Sequence, residues 1–279
     1  MTFDLGRFQL DEQQRYLWLP GLAGCLALFT TRRGGVSRAP FASLNLGFHV
    51  GDRDEDVLEN RRRALEWMGC GLESLVAAVQ VHGVKVAQIG SDQRGAGAFG
   101  QGGALPGHDA MVTNQCGVVL SIYTADCVPV LLWDPEHQAL GVAHAGWRGT
   151  VGGVLEQTLQ EMAAAFGTRS SRVVAALGPG IGPCCFRVGE ETARAFRQQY
   201  PQEDARRPVC QRLADGWHVD LWEANRQALL RAGVSAEAVS VARVCTACHP
   251  EWFFSYRRDG GRTGRMGLLA TIRPCAAAR

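Results

Sequence analysis

The amino-acid sequence predicts a mixed α/β fold in which a central system of β-sheets is covered by helices. Apolar runs of strand-like composition alternate with segments of helical period along the chain. No internal repeat and no Pro/Ser-rich linker divides the 279 residues, of which 46% are hydrophobic and 20% are charged. A chain of this length and composition can bury a sizeable core.

The first elements follow from local periodicity. Residues 25–31 have the apolar composition of a strand. Residues 54–68 place apolar side chains on one side of a helix, with Asp52 or Asp54 as its N-cap. Residues 75–89 alternate between apolar and polar side chains, which indicates two strand segments on either side of a kink at Gly83.

A stretch rich in Gly, Ser and Gln follows at residues 90–107. Its length and composition predict a mobile loop that can act as a lid. Beyond it, the periodicity predicts strands at residues 110–113, 118–123, 128–133, 139–143 and 172–177, and helices at residues 150–166, 190–199 and 221–232. This alternation is the basis of the α/β prediction.

Charge and composition exclude several classes of protein. The net charge of +2, from 29 basic and 27 acidic residues, provides no broad positive field for nucleic acid. No apolar run reaches the length of a membrane span, and the run at residues 21–29 is too short for a signal peptide. We expect a cytoplasmic protein with reduced thiols that acts on a small molecule, with neither nucleic acid nor membrane as a partner.

Three short segments, QVHG, ADCVP and AHAGWRG, each place one metal-ligand side chain beside glycine or proline. The side chains are His82, Cys127 and His144. Two imidazoles and one thiolate suit a catalytic Zn²⁺, whose fourth position stays open for water or substrate. Taken singly, each is more often a core residue or a satisfied hydrogen-bonding group. Their wide spacing does not itself show that they meet.

Two further motifs allow competing interpretations. Residues 245–249, CTACH, match the attachment site of c-type haem, although the expected cytosolic location argues against haem. Residues 178–185, GPGIGPCC, follow a predicted strand and invite a phosphate-loop interpretation. Two prolines remove N–H donors that such a loop would need, so a tight structural turn is favoured.

Five segments in this order, QVHG, TADCVPVLL, AHAGWRGT, LGPGIGPCCF and FFSYRRDGGRTGR, resemble the YfiH-type family, also called the laccase-domain or multicopper polyphenol oxidase family. The resemblance covers about residues 29–271. It implies one catalytic domain of layered mixed sheets and flanking helices over residues 1–279. About residues 1–24 of this range are expected to form an N-terminal extension. It also implies that His82, Cys127 and His144 hold the catalytic zinc.

The resemblance brings further residues to the substrate side. Arg61 lies on a helix that the family brings to the pocket, and Arg148 follows His144 closely enough to bind an anion there. Ser43 and Asn45 lie in a segment that resembles the family's substrate-side loop, where their side chains could bond a ribose or a base. The alternatives are surface salt bridges for the arginines and ordinary turn chemistry for the loop.

One position departs from the family pattern, because Arg187 stands where Glu is usual. The charge inversion puts any role of this position in doubt.

The resemblance implies zinc-dependent chemistry on purine nucleosides. The expected reactions are phosphorolysis of adenosine, inosine, guanosine or methylthioadenosine to the base and a ribose 1-phosphate or methylthioribose 1-phosphate, with adenosine deaminase activity beside it. The general acid or base stays open between Asp126, His49 and water.

Other functions remain as alternatives. A copper-dependent polyphenol oxidase is the second, since imidazole and thiolate also suit copper. A Cys–His hydrolase that uses Cys127 and His144 without metal, in a peptidoglycan-editing role, is the third. A module that regulates or stores metal without turnover is the fourth.

Overall fold

Two six-stranded β-sheets pack against each other at the centre of the molecule, in a computed structural model that describes residues 5–201 and 207–273. The strands are β1 (Gln9–Leu10), β2 (Tyr16–Trp18), β3 (Cys25–Thr30), β4 (Leu75–Val76), β5 (Ala78–Val79), β6 (Val86–Gln88), β7 (Leu105–Pro106), β8 (Ala110–Thr113), β9 (Val119–Thr124), β10 (Val128–Asp134), β11 (Ala139–Ala145), β12 (Val174–Leu177), β13 (Arg187–Val188), β14 (Cys210–Leu213), β15 (Gly216–Val219), β16 (Val239–Val241) and β17 (Met266–Ile272). The helices are α1 (Asp54–Glu66), α2 (Trp147–Gly152), α3 (Val154–Phe166), α4 (Glu190–Gln199) and α5 (Leu221–Arg231). The predicted mixed α/β class is confirmed.

The first sheet has the strand order β1-β2-β3-β17-β9-β4, and the second has the order β16-β12-β10-β11-β8-β6. Most neighbours are antiparallel, with parallel pairs at β4/β9, β12/β16 and β6/β8. A three-stranded sheet, β13-β15-β14, and the short pair β5-β7 complete the strands.

Alternating side chains along the central strands build two apolar layers at once. On β10, Leu131 and Trp133 face the first sheet, whereas Val130 and Leu132 belong to the core under the helices. Since successive strand residues point to opposite faces, a strand buried on both sides is expected to be largely apolar, as β10 is up to its last residue, Asp134. Helix α3 packs on the outer face of the second sheet, and α1 contributes Ala64 to the core behind the first sheet.

The beginning of the chain adds to the first sheet. Strands β1 and β2, which lie in the expected N-terminal extension, pair with each other and then with β3. Among the described residues, no helix is long and apolar enough to cross a membrane.

Two helix predictions need correction. The segment expected to form one helix at residues 150–166 is two helices, because Gly153 between them takes the left-handed conformation with φ 86°. Neither expected aspartate caps α1, whose N-cap is Arg53 without a side-chain hydrogen bond. Asp52 instead accepts hydrogen bonds from the Asn45 side chain and the Arg53 backbone.

The Gly-rich stretch at residues 90–107 is fastened to the protein at several points. The Leu105 backbone N–H donates to Ala77, and Ala98 is fully buried. Gly97 and Ala98 accept hydrogen bonds from the Arg61 guanidinium. The structure therefore places this stretch as a wall of the cavity described below.

Candidate metal centre and cavity

The structure brings His82, Cys127 and His144 together. Their nearest ligand atoms all lie within 4.8 Å of one another, and the two imidazole centroids are 4.7 Å apart. His144 lies on β11 opposite Pro129 of β10, so Cys127, just before β10, sits beside it. His82 reaches the pair from the turn after β5, with φ 61°.

Asp109 organises this group. Its fully buried carboxylate accepts hydrogen bonds from the backbone N–H groups of Val81, His82 and Gly83 at 3.1, 2.9 and 2.7 Å. Its Oδ1 also lies 2.8 Å from Nδ1 of His144. If that Nδ1 carries the proton, Nε2 remains free to bind a metal, a common arrangement in which a carboxylate orients a ligating histidine.

Sequence reasoning did not place Asp109 in the metal centre. A carboxylate directly before the apolar run of β8 was the available signal, because a buried carboxylate needs partners.

The negative charge of the Cys127 thiolate and the positive charge of the His144 imidazolium stabilise each other. Burial alone would raise the pKa of Cys127, but the imidazoles of His144 and His82 lower it to about 6. Burial alone would lower the pKa of His144, whereas the Cys127 sulfur and the Asp109 carboxylate raise it to about 9. Cys127 is therefore a thiolate near neutral pH, which is the form that binds metal and attacks electrophiles.

A cavity of about 500 Å³ opens on these three side chains, within the usual size range of small-ligand sites. Besides the three ligands, four aromatic residues, three arginines, a further histidine, two glutamines and an aspartate line it: Phe48, Tyr123, Phe186, Tyr256, Arg61, Arg257, Arg265, His49, Gln80, Gln101 and Asp126. The site thus combines flat apolar surfaces with cationic groups.

Arg61 is the predicted substrate-side residue that lines the cavity. It is buried on α1, where its guanidinium donates to the backbone oxygens of Leu46, Gly97 and Ala98. The guanidinium also lies over the rings of Phe48 and Tyr123, at 4.4 and 4.6 Å from their centroids. No described residue accepts a hydrogen bond from its Nη2, so the two N–H groups of that nitrogen remain for a ligand.

The other predicted substrate-side residues do not line the cavity. Arg148 is exposed and stacks on the Trp147 ring. Ser43 donates to the Arg32 carbonyl, and the fully buried Asn45 bonds Gly47, Asp52 and the Arg265 backbone N–H. Asn45 therefore supports the cavity through the backbone of Gly47, which precedes Phe48, and of Arg265.

The two side chains considered as general acid or base differ sharply. Asp126 accepts the Thr246 hydroxyl at 2.6 Å on one oxygen and the Arg257 backbone N–H at 2.7 Å on the other. It therefore supports the loops behind Cys127. His49 lines the cavity, where burial and the charges of Arg265 and Arg61 lower its pKa to about 4. A neutral imidazole at this position can exchange a proton with a ligand.

Sequence reasoning assigned no role to Tyr256, Arg257 and Arg265, which line the cavity. They lie in the segment FFSYRRDGGRTGR, where basic residues follow two buried phenylalanines. The GPGIGPCC segment contains a tight turn, as expected, in which the Cys185 N–H donates to the Gly182 carbonyl at 3.0 Å, and its Ile181 N–H holds it beside the site by donating to the Asp126 carbonyl at 2.7 Å. Arg187 is exposed and outside the cavity.

The sequence model of the family described as multi-copper polyphenol oxidoreductase laccase matches residues 26–273. The chain belongs to this family. Two crystal structures agree with that membership in the laccase family. The first is YlmD from Geobacillus stearothermophilus, with a TM-score of 0.91 and 40% sequence identity, and the match covers 96% of this chain and 100% of YlmD. YfiH from Bacillus licheniformis, with TM-score 0.90 and 33% identity, covers 95% and 99%. The resemblance to YfiH-type proteins is confirmed.

Curated relatives of this laccase-family chain carry enzyme names. The purine nucleoside phosphorylase YlmD of Geobacillus stearothermophilus is 42% identical over 265 residues, which are 91% of this chain and 94% of the relative. Adenosine deaminase RL5, from an unknown prokaryotic organism, is 38% identical over 241 residues, 85% of this chain and 90% of the relative. The chain is an enzyme of the laccase family.

Proposed function

We propose that this protein is a zinc-dependent purine nucleoside phosphorylase with adenosine deaminase activity. The observation that supports the proposal is the convergence of His82, Cys127 and His144 in a cavity that also contains Arg61. Relatives named for these two activities at 42% and 38% identity point in the same direction. The proposed substrates are adenosine, inosine, guanosine and methylthioadenosine.

The donor atoms fit a zinc ion. Two imidazole nitrogens and one thiolate sulfur, within 4.8 Å of one another, are a three-ligand set that leaves one position for a reacting group. Asp109 would fix the ring of His144, and the lowered pKa of Cys127 would supply the thiolate. A zinc ion held there supplies Lewis-acid chemistry and makes bound water more acidic.

The remaining residues bind and orient the substrates. Phosphorolysis needs a phosphate held against the anomeric carbon while the purine leaves, and positioning of this kind lowers the barrier substantially. Arg61, Arg257 and Arg265 supply cationic donors for the phosphate. Phe48 and Tyr256 offer flat surfaces for the purine.

A proton must also move when the bond to the base breaks or when an amino group leaves. His49 is the candidate in the cavity, because both Asp126 oxygens already accept hydrogen bonds. Its pKa of about 4 keeps the imidazole neutral near pH 7, so one ring nitrogen can donate and the other can accept.

A Cys–His hydrolase is the second candidate function. The pKa of about 6 for Cys127, caused by the two imidazoles against the effect of burial, would make it a nucleophile without any metal. This reaction would survive chelation, whereas a zinc phosphorylase would not. If the protein were instead a copper-dependent polyphenol oxidase, phenol oxidation would depend on loading with copper.

The test is a product assay on protein of known metal content. Adenosine and inosine are incubated with and without phosphate, and bases, ribose 1-phosphate and inosine are separated chromatographically. We expect base release that depends on phosphate, follows bound zinc and disappears in Cys127→Ala. Cys116→Ser is the matched control, because Cys116 is an exposed cysteine that does not line the cavity.

Zinc-loaded protein that turns over neither nucleoside would contradict the proposal. Turnover that persists after chelation would favour the hydrolase, and phenol oxidation only after copper loading would favour the oxidase.

A further inference from the structure

A second group of metal-ligand side chains lies outside the reaction centre. The sulfur atoms of Cys184, Cys185, Cys245 and Cys248 all lie within 4.8 Å of one another. Cys248 Sγ is 3.4 Å from Cys185 Sγ and 3.6 Å from Cys184 Sγ. The cysteines come from two segments that are far apart in sequence, the GPGIGPCC turn and the CTACH motif.

We propose that these four cysteines hold one zinc ion in a closed structural site, separate from the His82–Cys127–His144 centre. A tetrahedral site with Zn–S bonds of about 2.3 Å separates its sulfurs by about 3.8 Å. The observed separations of 3.4 and 3.6 Å are close to that edge length. Four thiolates in tetrahedral arrangement favour zinc among common metals.

The compactness of the group distinguishes it from other uses of cysteine. A polynuclear iron–sulfur cluster needs its cysteines around several iron and sulfide atoms, and thus farther apart. Covalent haem would consume Cys245 and Cys248 and leave the other two cysteines without a role. A disulfide would likewise use only two of the four sulfurs.

Backbone hydrogen bonds hold the two cysteine-bearing segments together. The Gly182 N–H donates to Cys245 Sγ at 3.2 Å, an interaction typical of backbone amides around metal-bound sulfur. A parallel bridge pairs Gly180 with Cys245, and the Thr246 N–H donates to the Gly180 carbonyl. The two cysteine-bearing segments are therefore held in register by bonds that do not depend on the ion.

The group is open to solvent on one side. Cys184 and Cys248 are exposed, which leaves a path by which an ion can enter.

The ion would fix one wall of the cavity. Ile181 and Phe186, which flank the paired cysteines of the turn, both line the cavity. On the other segment, Thr246 donates to the carboxylate of Asp126, the neighbour of Cys127. A four-cysteine site has no open position for substrate, so its contribution is structural.

The first test counts zinc by elemental analysis and native mass spectrometry, on protein purified with zinc under reducing conditions. We expect two zinc ions in each wild-type chain, one for each group of ligands. Cys248→Ser should retain one ion and Cys127→Ala should retain one. Cys116→Ser, which changes an exposed cysteine outside both groups, should retain two.

Cobalt substitution identifies the ligands. In the Cys127→Ala background, cobalt should give the intense sulfur-to-metal charge-transfer absorption of a four-thiolate site, and adding Cys248→Ser should abolish it. If Cys248→Ser retains the ion at the His82–Cys127–His144 centre, that retention also shows that the variant is folded.

One zinc per wild-type chain, lost in Cys127→Ala and unaffected by Cys248→Ser, would overturn the inference. So would iron in place of zinc, or an intact mass showing a disulfide among the four cysteines in freshly purified protein. Because none of these readouts involves turnover, they are independent of the proposed function.

Discussion

His82 adopts a backbone conformation that non-glycine residues rarely take, with φ 61°. The conformation turns three successive backbone N–H groups, of Val81, His82 and Gly83, toward the Asp109 carboxylate. Successive N–H groups around one carboxylate form an anion-binding concavity, which offsets a strain of about 1–3 kcal/mol. One carboxylate therefore positions His82 through its backbone and His144 through its ring.

Replacing Asp109 by Asn should weaken metal binding at the three-ligand centre by roughly ten- to a hundredfold, because the amide no longer holds the ring of His144 as a carboxylate does. Zinc affinity can be measured by competition with a chromogenic chelator. Asp134→Asn is the matched control, since Asp134 is equally buried and bonds Nδ1 of His137 at 2.9 Å. Equal losses in both variants would show a general effect of removing a buried carboxylate.

The two predicted arginines should separate in a kinetic comparison. Arg61→Lys removes the planar fork that bonds backbone oxygens and faces the cavity, so we expect the KM for phosphate to rise roughly ten- to a hundredfold. Arg148→Lys alters an exposed side chain stacked on Trp147 and should leave that KM nearly unchanged. Initial rates at varied phosphate concentration give both KM values. A larger rise in KM for Arg148→Lys than for Arg61→Lys would contradict the assignment of phosphate binding to Arg61.

The residue types of the centre could be read from the sequence, because two imidazoles and a thiolate are a recognisable metal-ligand set. Their convergence and the role of Asp109 could not, since both depend on contacts between distant segments. The resemblance predicted Ser43 and Asn45 as substrate-side residues. In the structure their side chains bond nearby backbone groups and lie outside the cavity lining, a placement that depends on tertiary contacts.

At the scale of elements, Gly146 joins the end of β11 to α2 beside the metal ligands. A Cβ at this position would lie 2.8 Å from Nδ1 of His82 and 2.9 Å from Sγ of Cys127. Real side-chain carbons do not approach other atoms so closely, so a larger residue would push a ligand aside. The glycine in HAGWRG thus leaves room for two ligands.

Gly146→Ala should therefore lower zinc affinity at the three-ligand centre by at least about tenfold, since a displaced ligand weakens the site. Gly189→Ala is the matched control. Gly189 is also a helix N-cap, with φ −76° and ψ 168° against −74° and 168° for Gly146, and a Cβ there meets nothing within 4 Å. Both variants should lose less than about 1 kcal/mol of stability from the cap. Unchanged zinc affinity in Gly146→Ala would refute the steric argument.

Elements with strong periodicity were predicted closely, including β8 (Ala110–Thr113) and α4 (Glu190–Gln199), whose bounds match residue for residue. Failures occur where one residue decides the backbone. Gly153 divides a helix that apolar spacing alone would continue, and Arg53 replaces the expected cap because Asp52 is bonded to Asn45. Such choices depend on tertiary partners that local sequence does not contain.

For the molecule as a whole, the order of layers is helix, sheet, sheet and helices, with an apolar interface between the sheets. Leu131 is 1% exposed within that interface. Leu131→Ala should lower the free energy of unfolding by about 2–5 kcal/mol, through lost burial and the cavity left behind. Chemical denaturation followed by fluorescence and circular dichroism measures this change.

Leu213→Ala serves as the control, because Leu213 is 45% exposed on β14 and lies outside the sheet interface. Its replacement should change the free energy of unfolding by less than about 0.5 kcal/mol. Comparable losses in the two variants would mean that the interface between the sheets is not a principal source of stability.

The position of β17 in the first sheet has a consequence for biosynthesis. It lies between β3 and β9, both of which leave the ribosome much earlier. Until Met266–Ile272 is synthesised, β3 and β9 lack the strand that joins them, and unpaired strand edges promote association between chains. Tyr123 and Thr124 of β9 line the cavity. This part of the cavity lining can therefore be completed only after the late strand β17 has paired with β9.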